Sequence, residues 1–191
     1  MQNYEIKKEN SVADVIKARR SIKRFTNEPV SESLLVELLN TAIWAPNHKL
    51  REPWRFIAFK DNGRERLLNA ALSTVSSDKK ELSREKFQKK IMNAPLHLVI
   101  VMHVDPRQKQ YDEDFAATSA CVQNLMLAAW EKGLGTIWKT PAYINEPVFR
   151  EQIGVADGEK IIGIIQMGTP EMIPSPQQRT KAEEKLTIIS E

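Results

Sequence analysis

The stretch from Phe115 to Trp130, FAATSACVQNLMLAAW, constrains the fold more than any other part of the chain. It is apolar or small on nearly every side over four turns, which suits a helix enclosed by other elements and not a surface helix with one wet face. Asp112 or Asp114 is placed to cap its start and Gly133 to end it, giving a central helix over 112–132. A buried helix of that length needs a full core around it. The 191 residues, 41% of them hydrophobic and 28% charged, supply one core and leave little for a second. The expectation is a single domain over 1–191.

Other elements follow from periodicity. Leu34, Leu35, Leu38, Leu39, Ala42 and Ile43 form a helical stripe with Ser31 as N-cap and Pro46 beyond its end. Leu67, Leu68, Ala71, Leu72 and Val75 repeat the spacing, while Lys79 to Met92 reads as a charged helix with a solvated face, stopping before Pro95. Short β-branched and aromatic runs bounded by Pro, Asp or Gly place strands at Arg55–Lys60, Leu96–Val104 and Ile161–Met167. Helices outnumber strands and no alternating βαβ unit is evident, so the class is α+β with a mainly antiparallel or mixed sheet. Residues 172–180, MIPSPQQRT, read as an extended surface segment that begins a C-terminal extension over about 172–191.

Several chemistries are excluded. GxxxxGK[ST] is absent, and Gly133 and Gly135 lack the third glycine of GxGxxG, which removes the phosphate-loop and Rossmann readings. His97 and His103 share one face of a predicted strand, but six residues separate them by about 20 Å, too far to share a metal, so no metal site is expected. Cys121 lies in the apolar helix with no basic neighbour in its turn and reads as packing; GxSxG is missing, and no catalytic side chain is assigned. One cysteine permits no intrachain disulfide, MQNYEIKKENSVADV has no apolar leader run, and no window is long enough to span a bilayer; the expectation is a cytoplasmic protein without a membrane partner. The net charge of +3 arises from interleaved acids and bases, which argues against a nucleic-acid partner.

One local cluster stands out. Arg19, Arg20, Ser21 and Lys23 bring three cations and a hydroxyl within five residues, a combination able to grip a phosphate or an electron-rich ring edge. Alone, the cluster is equally explained as a basic helix C-terminus facing its own dipole.

The surrounding segments give it context. RRSIKRF is followed by one helix, then WAPNHK, then EPWRF entering a strand; EKGLGTIWKTPAY follows the central helix and IIQMGTPE comes after that. In that order and spacing the chain resembles the nitroreductase family, over most of its length, and is most similar to short members with Arg-Arg-Ser and Ala-Pro-x-His motifs. The resemblance implies a three-layer sandwich, a bound FMN, NADH or NADPH as electron donor, and a homodimer with FMN where the subunits meet. It places Arg19, Arg20 and Ser21 by the FMN phosphate, ribityl chain and pyrimidine edge, Lys23 by the flavin N1 and O2, and Trp138, Lys139 and Thr140 by the ring. Trp44 and His48 would come from the other subunit, and Arg179 would add a phosphate contact. Residues 128–133 would contribute to the nicotinamide site. The implied reaction is ping-pong transfer of hydride from NAD(P)H through flavin to a nitroaromatic, quinone or similar small-molecule acceptor; the alternative is a flavin-binding sensor or store with little turnover. The chain departs from the family in carrying Glu52 where Gln usually precedes Pro-Trp, with Arg51 nearby to offset the carboxylate. Trp54 reads as packing.

Overall fold

The computed structural model describes residues 11–190. The expectation that no targeting segment precedes the domain concerns residues 1–10 and lies outside that span. Four strands form one antiparallel sheet in the order β1-β2-β4-β3, with β1 Trp54–Lys60, β2 Leu96–His103, β3 Gly135–Lys139 and β4 Glu159–Gly168. The named strands pair only in antiparallel fashion; a parallel bridge joins Ser21 to Thr136 at the β3 edge.

The pleat sorts β2 onto two faces. Leu96, Leu98, Ile100 and Met102 face a cluster with α2 (Glu32–Ala42) and α5 (Gln108–Glu131), while Val99 and Val101 face one with α3 (Gly63–Ser73), Ile91 at the end of α4 (Lys80–Ile91) and Phe149 of α6 (Pro147–Gln152). Helices on both faces of a sheet make three layers, and every residue of β2 except His103 is buried. A bulge in β4, where Ile100 pairs with Gly163 and Val101 with Ile161, leaves Ile162 extra and directs it to the α5 face.

The helix ends follow their capping chemistry. Ser31 accepts from the Leu34 amide at the start of α2, as its sequence position predicts. At the end of α5, Gly133 takes φ +80°, and Leu134 donates back to the Ala129 carbonyl at 2.8 Å, closing the last turn. The start of α5 differs from expectation. The helix begins at Gln108, a turn before 112, so Asp112 and Asp114 lie inside it and cap nothing. Arg107 is the N-cap residue and no side chain caps the first turn; Asp105 accepts from the Arg107 amide at 3.0 Å, just ahead of the helix. Asp114 is instead buried, 3% exposed, for a reason found at the site.

Cys121 is buried in the α5 layer, and burial pushes its thiol up to about 12, which suits a packing residue. No helix among the described residues is long and apolar enough to cross a membrane.

Candidate functional site

Helix α1 (Val12–Ala18) delivers Arg19 to Lys23 to the β3 edge of the sheet. The Ile22 amide donates to the Thr136 carbonyl at 3.0 Å, so the segment runs beside β3 as a short extra strand. This approach requires Gly135: a Cβ there would stand 2.5 Å from Ile22 Cγ1 and 2.9 Å from its Cβ. The glycine therefore sets how closely the basic segment lies against the sheet.

The two arginines have different surroundings. Arg20 donates through one terminal nitrogen to the carbonyls of Lys17, Ala18 and Arg19 at 2.6, 2.9 and 2.9 Å, so it caps the carbonyl end of α1. Arg19 is half-buried and its Nε is buried with no hydrogen-bond partner among the described residues. Burial lowers the Arg19 pKa, and the neighbouring charges of Arg20 and Arg179 lower it further. A buried donor left without an acceptor, among cations that repel it, is a position an anion would satisfy.

That position is a wall of a cleft of about 760 Å³, between the α1 end and the extended segment from Met172 to Arg179. Arg19, Arg20, Ser21, Lys23 and Arg179 all border it. The structure thus brings half of the sequence-predicted residues to one cavity. Lys17, Arg24 and Gln177 border it as well and were not singled out in the sequence, although Lys17 is one helical turn before Arg20 and its basic charge was visible.

Lys139 at the end of β3 lies next to this cleft but faces a second one. Its ammonium is half-buried; burial lowers its pKa, and the charges of Lys90 and Lys23 add to the effect. Lys23 borders the first cleft, while Lys90 and Lys139 border a cavity of about 730 Å³ under α4. Lys86 and Lys90 lie on the exposed face of α4, as the sequence reading of Lys79 to Met92 expects, and also border this cavity. In a sequence, i and i+4 charges on a helix look alike whether they meet water or a cavity.

Trp138 is one residue from Lys139 on the strand, so it points to the opposite face. Its ring packs with the α5-side core, lies directly over Gly163 where a Cβ would collide with Nε1, and donates from Nε1 to the Ile162 carbonyl at 3.3 Å. Within one chain it borders neither cleft. Thr140 is exposed just past the strand. Trp44 is 86% exposed after α2, and His48 begins an exposed turn; neither borders the basic cleft of its own chain. Trp54 is half-buried against the α5-side core, in keeping with packing.

The loop carrying His48 is built differently from the sequence reading. Lys49, Leu50 and Glu52 take φ of 55°, 52° and 46°, a left-handed region that non-glycine residues occupy at a cost of about 1–3 kcal/mol each. Asn47 holds the loop by accepting from the Glu52 amide at 3.0 Å. Arg51 does not offset Glu52. It bridges Asp114 and Asp105 on the other side of the loop, which explains the buried aspartate inside α5.

A three-layer α+β protein with a basic cleft at one edge of an antiparallel sheet is thus defined by fold and site. Comparison with known proteins gives that class a family. Residues 16–169 match the Nitroreductase family model. YfhC of Bacillus subtilis, named for NAD(P)H nitroreductase activity, is 35% identical over 190 residues, covering 97% of this chain and 98% of its own. The crystal structure of a nitroreductase-like family protein from Bacillus cereus superposes with a TM-score of 0.90 at 41% identity, covering 99% of this chain and 98% of that one. NfnB, described as an FMN and NADPH-dependent nitroreductase, shares the fold at a TM-score of 0.76 and 16% identity, over 95% of this chain and 100% of its own. The chain belongs to the nitroreductase family.

Proposed function

We propose that this chain is a cytoplasmic, FMN-dependent oxidoreductase that reduces a nitroaromatic, quinone or similar acceptor with NADH or NADPH, the two substrates using one cleft in turn. Family membership and the names of its relatives support the reaction class. The single observation that carries the cofactor is Arg19 Nε, buried without a partner among the described residues in a basic cleft. A phosphate monoester would supply the missing acceptor, and the residues present fit such a group.

Arg19 and Arg179 would hold the phosphate, with Ser21 as a neutral donor beside them and Arg20 keeping α1 in place through its carbonyl contacts. Lys23, with Lys139 and Lys90 close enough for their charges to interact, makes the other end positive. FMN, when bound, supplies the redox chemistry by taking two electrons from NAD(P)H and passing them to the acceptor. Positive charge held by Lys23 favours an anionic ring edge beside it. No side chain is assigned as catalytic acid or base.

Trp44, His48 and the apolar tail residues Leu186, Ile188 and Ile189 are exposed in one chain, the last two at 76% and 87%. A second subunit seated over these side chains would take their apolar surface out of water. In the proposed homodimer the Trp44–His48 loop of one chain completes the flavin cleft of the other, and the domain is a single unit over 1–191 with its extension from about 172. Sedimentation of the flavin-loaded protein as a monomer would refute this arrangement.

The test of function is an absorbance spectrum of purified, dialysed protein, followed by anaerobic addition of NADPH and then NADH. A flavin spectrum bleached by either nucleotide is expected. A flavin spectrum that neither nucleotide bleaches would favour the sensor or store, and a colourless protein that does not take up FMN would overturn the reading.

A further inference from the structure

Glu52 stands where the family usually carries Gln before Pro-Trp, and the backbone around it is unusual. Its φ is 46°, although it precedes Pro53, whose ring ordinarily pushes the residue before it to extended backbone. Two neighbours hold it there. The Glu52 amide donates to Asn47 Oδ1 at 3.0 Å, which closes the loop next to His48, and the buried Pro53 leads directly into β1. Non-glycine backbone in this region collects at segments that handle ligands, where the surrounding fold imposes it. The Glu52 side chain is exposed, so an acid projects into solvent from a fixed base.

Its charge is uncompensated. Arg51, one residue away, is drawn to the other side of the loop by Asp114 and Asp105. Glu52 forms no ion pair with any cation among the described residues, Lys49 of the same loop included. The basic cleft, by contrast, is bordered by Arg19, Lys23 and Arg179, with Lys139 next to it. A cleft lined by cations alone concentrates anions of every kind, and one fixed carboxylate at its rim makes it discriminate among them. We infer that Glu52 sets the charge selectivity for the electron acceptor: it places a negative charge at the rim of the partner's cleft and disfavours acceptors that carry an anionic group. The inference rests on the homodimer proposed above, because Glu52, like Trp44 and His48, borders neither cleft of its own chain. A Gln at this position would present the same shape without the field.

The experiment measures kcat/KM of the flavin-loaded protein for 4-nitrobenzoate, 4-nitrobenzyl alcohol and (4-nitrobenzyl)trimethylammonium. In each, the nitro group takes two electrons and two protons from NAD(P)H and solvent, leaving a nitroso group and water, so only the distant charge differs. Wild type is compared with Glu52→Gln, Glu52→Lys and Glu151→Gln, the last removing an exposed acid of α6 as a control for net charge. Glu52→Gln is expected to raise the anionic-to-neutral ratio of kcat/KM about three- to tenfold and to lower the cationic-to-neutral ratio, with both changes shrinking as salt is added. Glu52→Lys should go further in the same direction, and Glu151→Gln should keep the wild-type ratios. Ratios that Glu52→Gln and Glu52→Lys leave alone, or that Glu151→Gln alters equally, would overturn the inference. If the protein holds flavin but reduces none of the three, the affinities of benzoate, benzyl alcohol and benzyltrimethylammonium, read from flavin absorbance, carry the same comparison. Turnover with unaltered ratios rejects the inference alone, whereas a protein that takes up no FMN rejects the proposed function and the inference with it.

Discussion

Arg51 and Asp114, 63 residues apart in sequence, form a two-point contact: Nε donates to one carboxylate oxygen at 3.1 Å and a terminal nitrogen to the other at 3.0 Å. The same terminal nitrogen also reaches Asp105 at 3.2 Å. The contact joins the strained loop after α2 to the first turns of α5, so the loop that carries Trp44 and His48 is aimed by a side chain and not by backbone ladders. Removing Arg51 leaves Asp114 buried without its cation. Arg51→Ala is expected to lower Tm by several degrees and to speed amide exchange across residues 47–53, while leaving α3 and α6 unaffected. Arg51→Lys should not rescue it, because a lysine cannot donate in parallel to both oxygens. Wild-type exchange in the loop of Arg51→Ala would refute this role.

The carboxylate of Asp105 gives a pH signature to the same junction. Hydrogen bonds from Arg107 hold it well below the ordinary carboxylate range, with the charges of Arg107 and Arg51 adding to the effect. A folded pKa below the unfolded value of 3.8 means the unfolded chain binds the proton more readily. The stabilisation is therefore complete above about pH 4 and is lost as pH falls below it. Acid titration of Asp105→Asn should show a shallower loss of stability below pH 4 than the parent.

His97 acts in a higher window. Burial, chiefly, lowers its pKa from 6.5 to about 4, with Arg64 and Lys139 contributing and the Ile91 contact opposing. Between these values the unfolded chain takes up a proton that the folded chain refuses. Stability is complete above pH 6.5 and falls by up to about 3 kcal/mol as pH drops toward 4. Urea unfolding at pH 7 and pH 5 checks the sign, and His97→Gln should flatten the difference. A parent as stable at pH 5 as at pH 7 would show that His97 is not buried neutral.

The two arginines of the basic segment should separate cleanly. Arg19→Ala removes the unpartnered buried donor from the cleft and is expected to weaken FMN about 10- to 100-fold, the usual effect of a charged hydrogen bond. Arg20→Ala takes three contacts from the end of α1 and should act first on the stability of that helix, with a smaller effect on FMN. Fluorescence titration of FMN, read beside Tm, distinguishes them. Equal losses of affinity would mean that Arg20 leaves its carbonyls to bind the ligand.

How far the sequence reached can be traced through these residues. An apolar stripe located α2 and α3, a charged run α4, an all-round apolar run α5, and short β-branched and aromatic runs three of four strands. β3 escaped notice as a strand: five residues opening with glycine carry too short a pattern, and its pairing with β4 is a long-range fact. The Arg19–Lys23 cluster was legible as a group, yet the sequence treated its arginines alike, since only the path of the chain after α1 decides which of them meets carbonyls. Trp138 and Lys139 were read together, and strand geometry parts them. Arg51 was read against its neighbour Glu52 when its partners are 54 and 63 residues away. Local chemistry shows in a sequence; pairings across the core require the fold.

Gly135 is the residue on which the site's closeness to the sheet depends. Gly135→Ala introduces a methyl group 2.5 Å from Ile22 Cγ1, and Ile22 is fully buried, so it has nowhere to retreat. The segment carrying Arg19 to Lys23 must then move away from β3, or the core beneath must adjust, at a cost of about 1–3 kcal/mol. If the segment moves, Lys23 separates from Lys139 and FMN affinity should fall together with Tm; if the core adjusts, Tm should fall first. Ile22→Ala takes away Cγ1 and Cγ2, two of the three atoms that the new methyl group would meet, so the double variant should recover part of the lost FMN affinity. Full wild-type stability and FMN affinity in Gly135→Ala would show that the basic segment does not take its position from this contact.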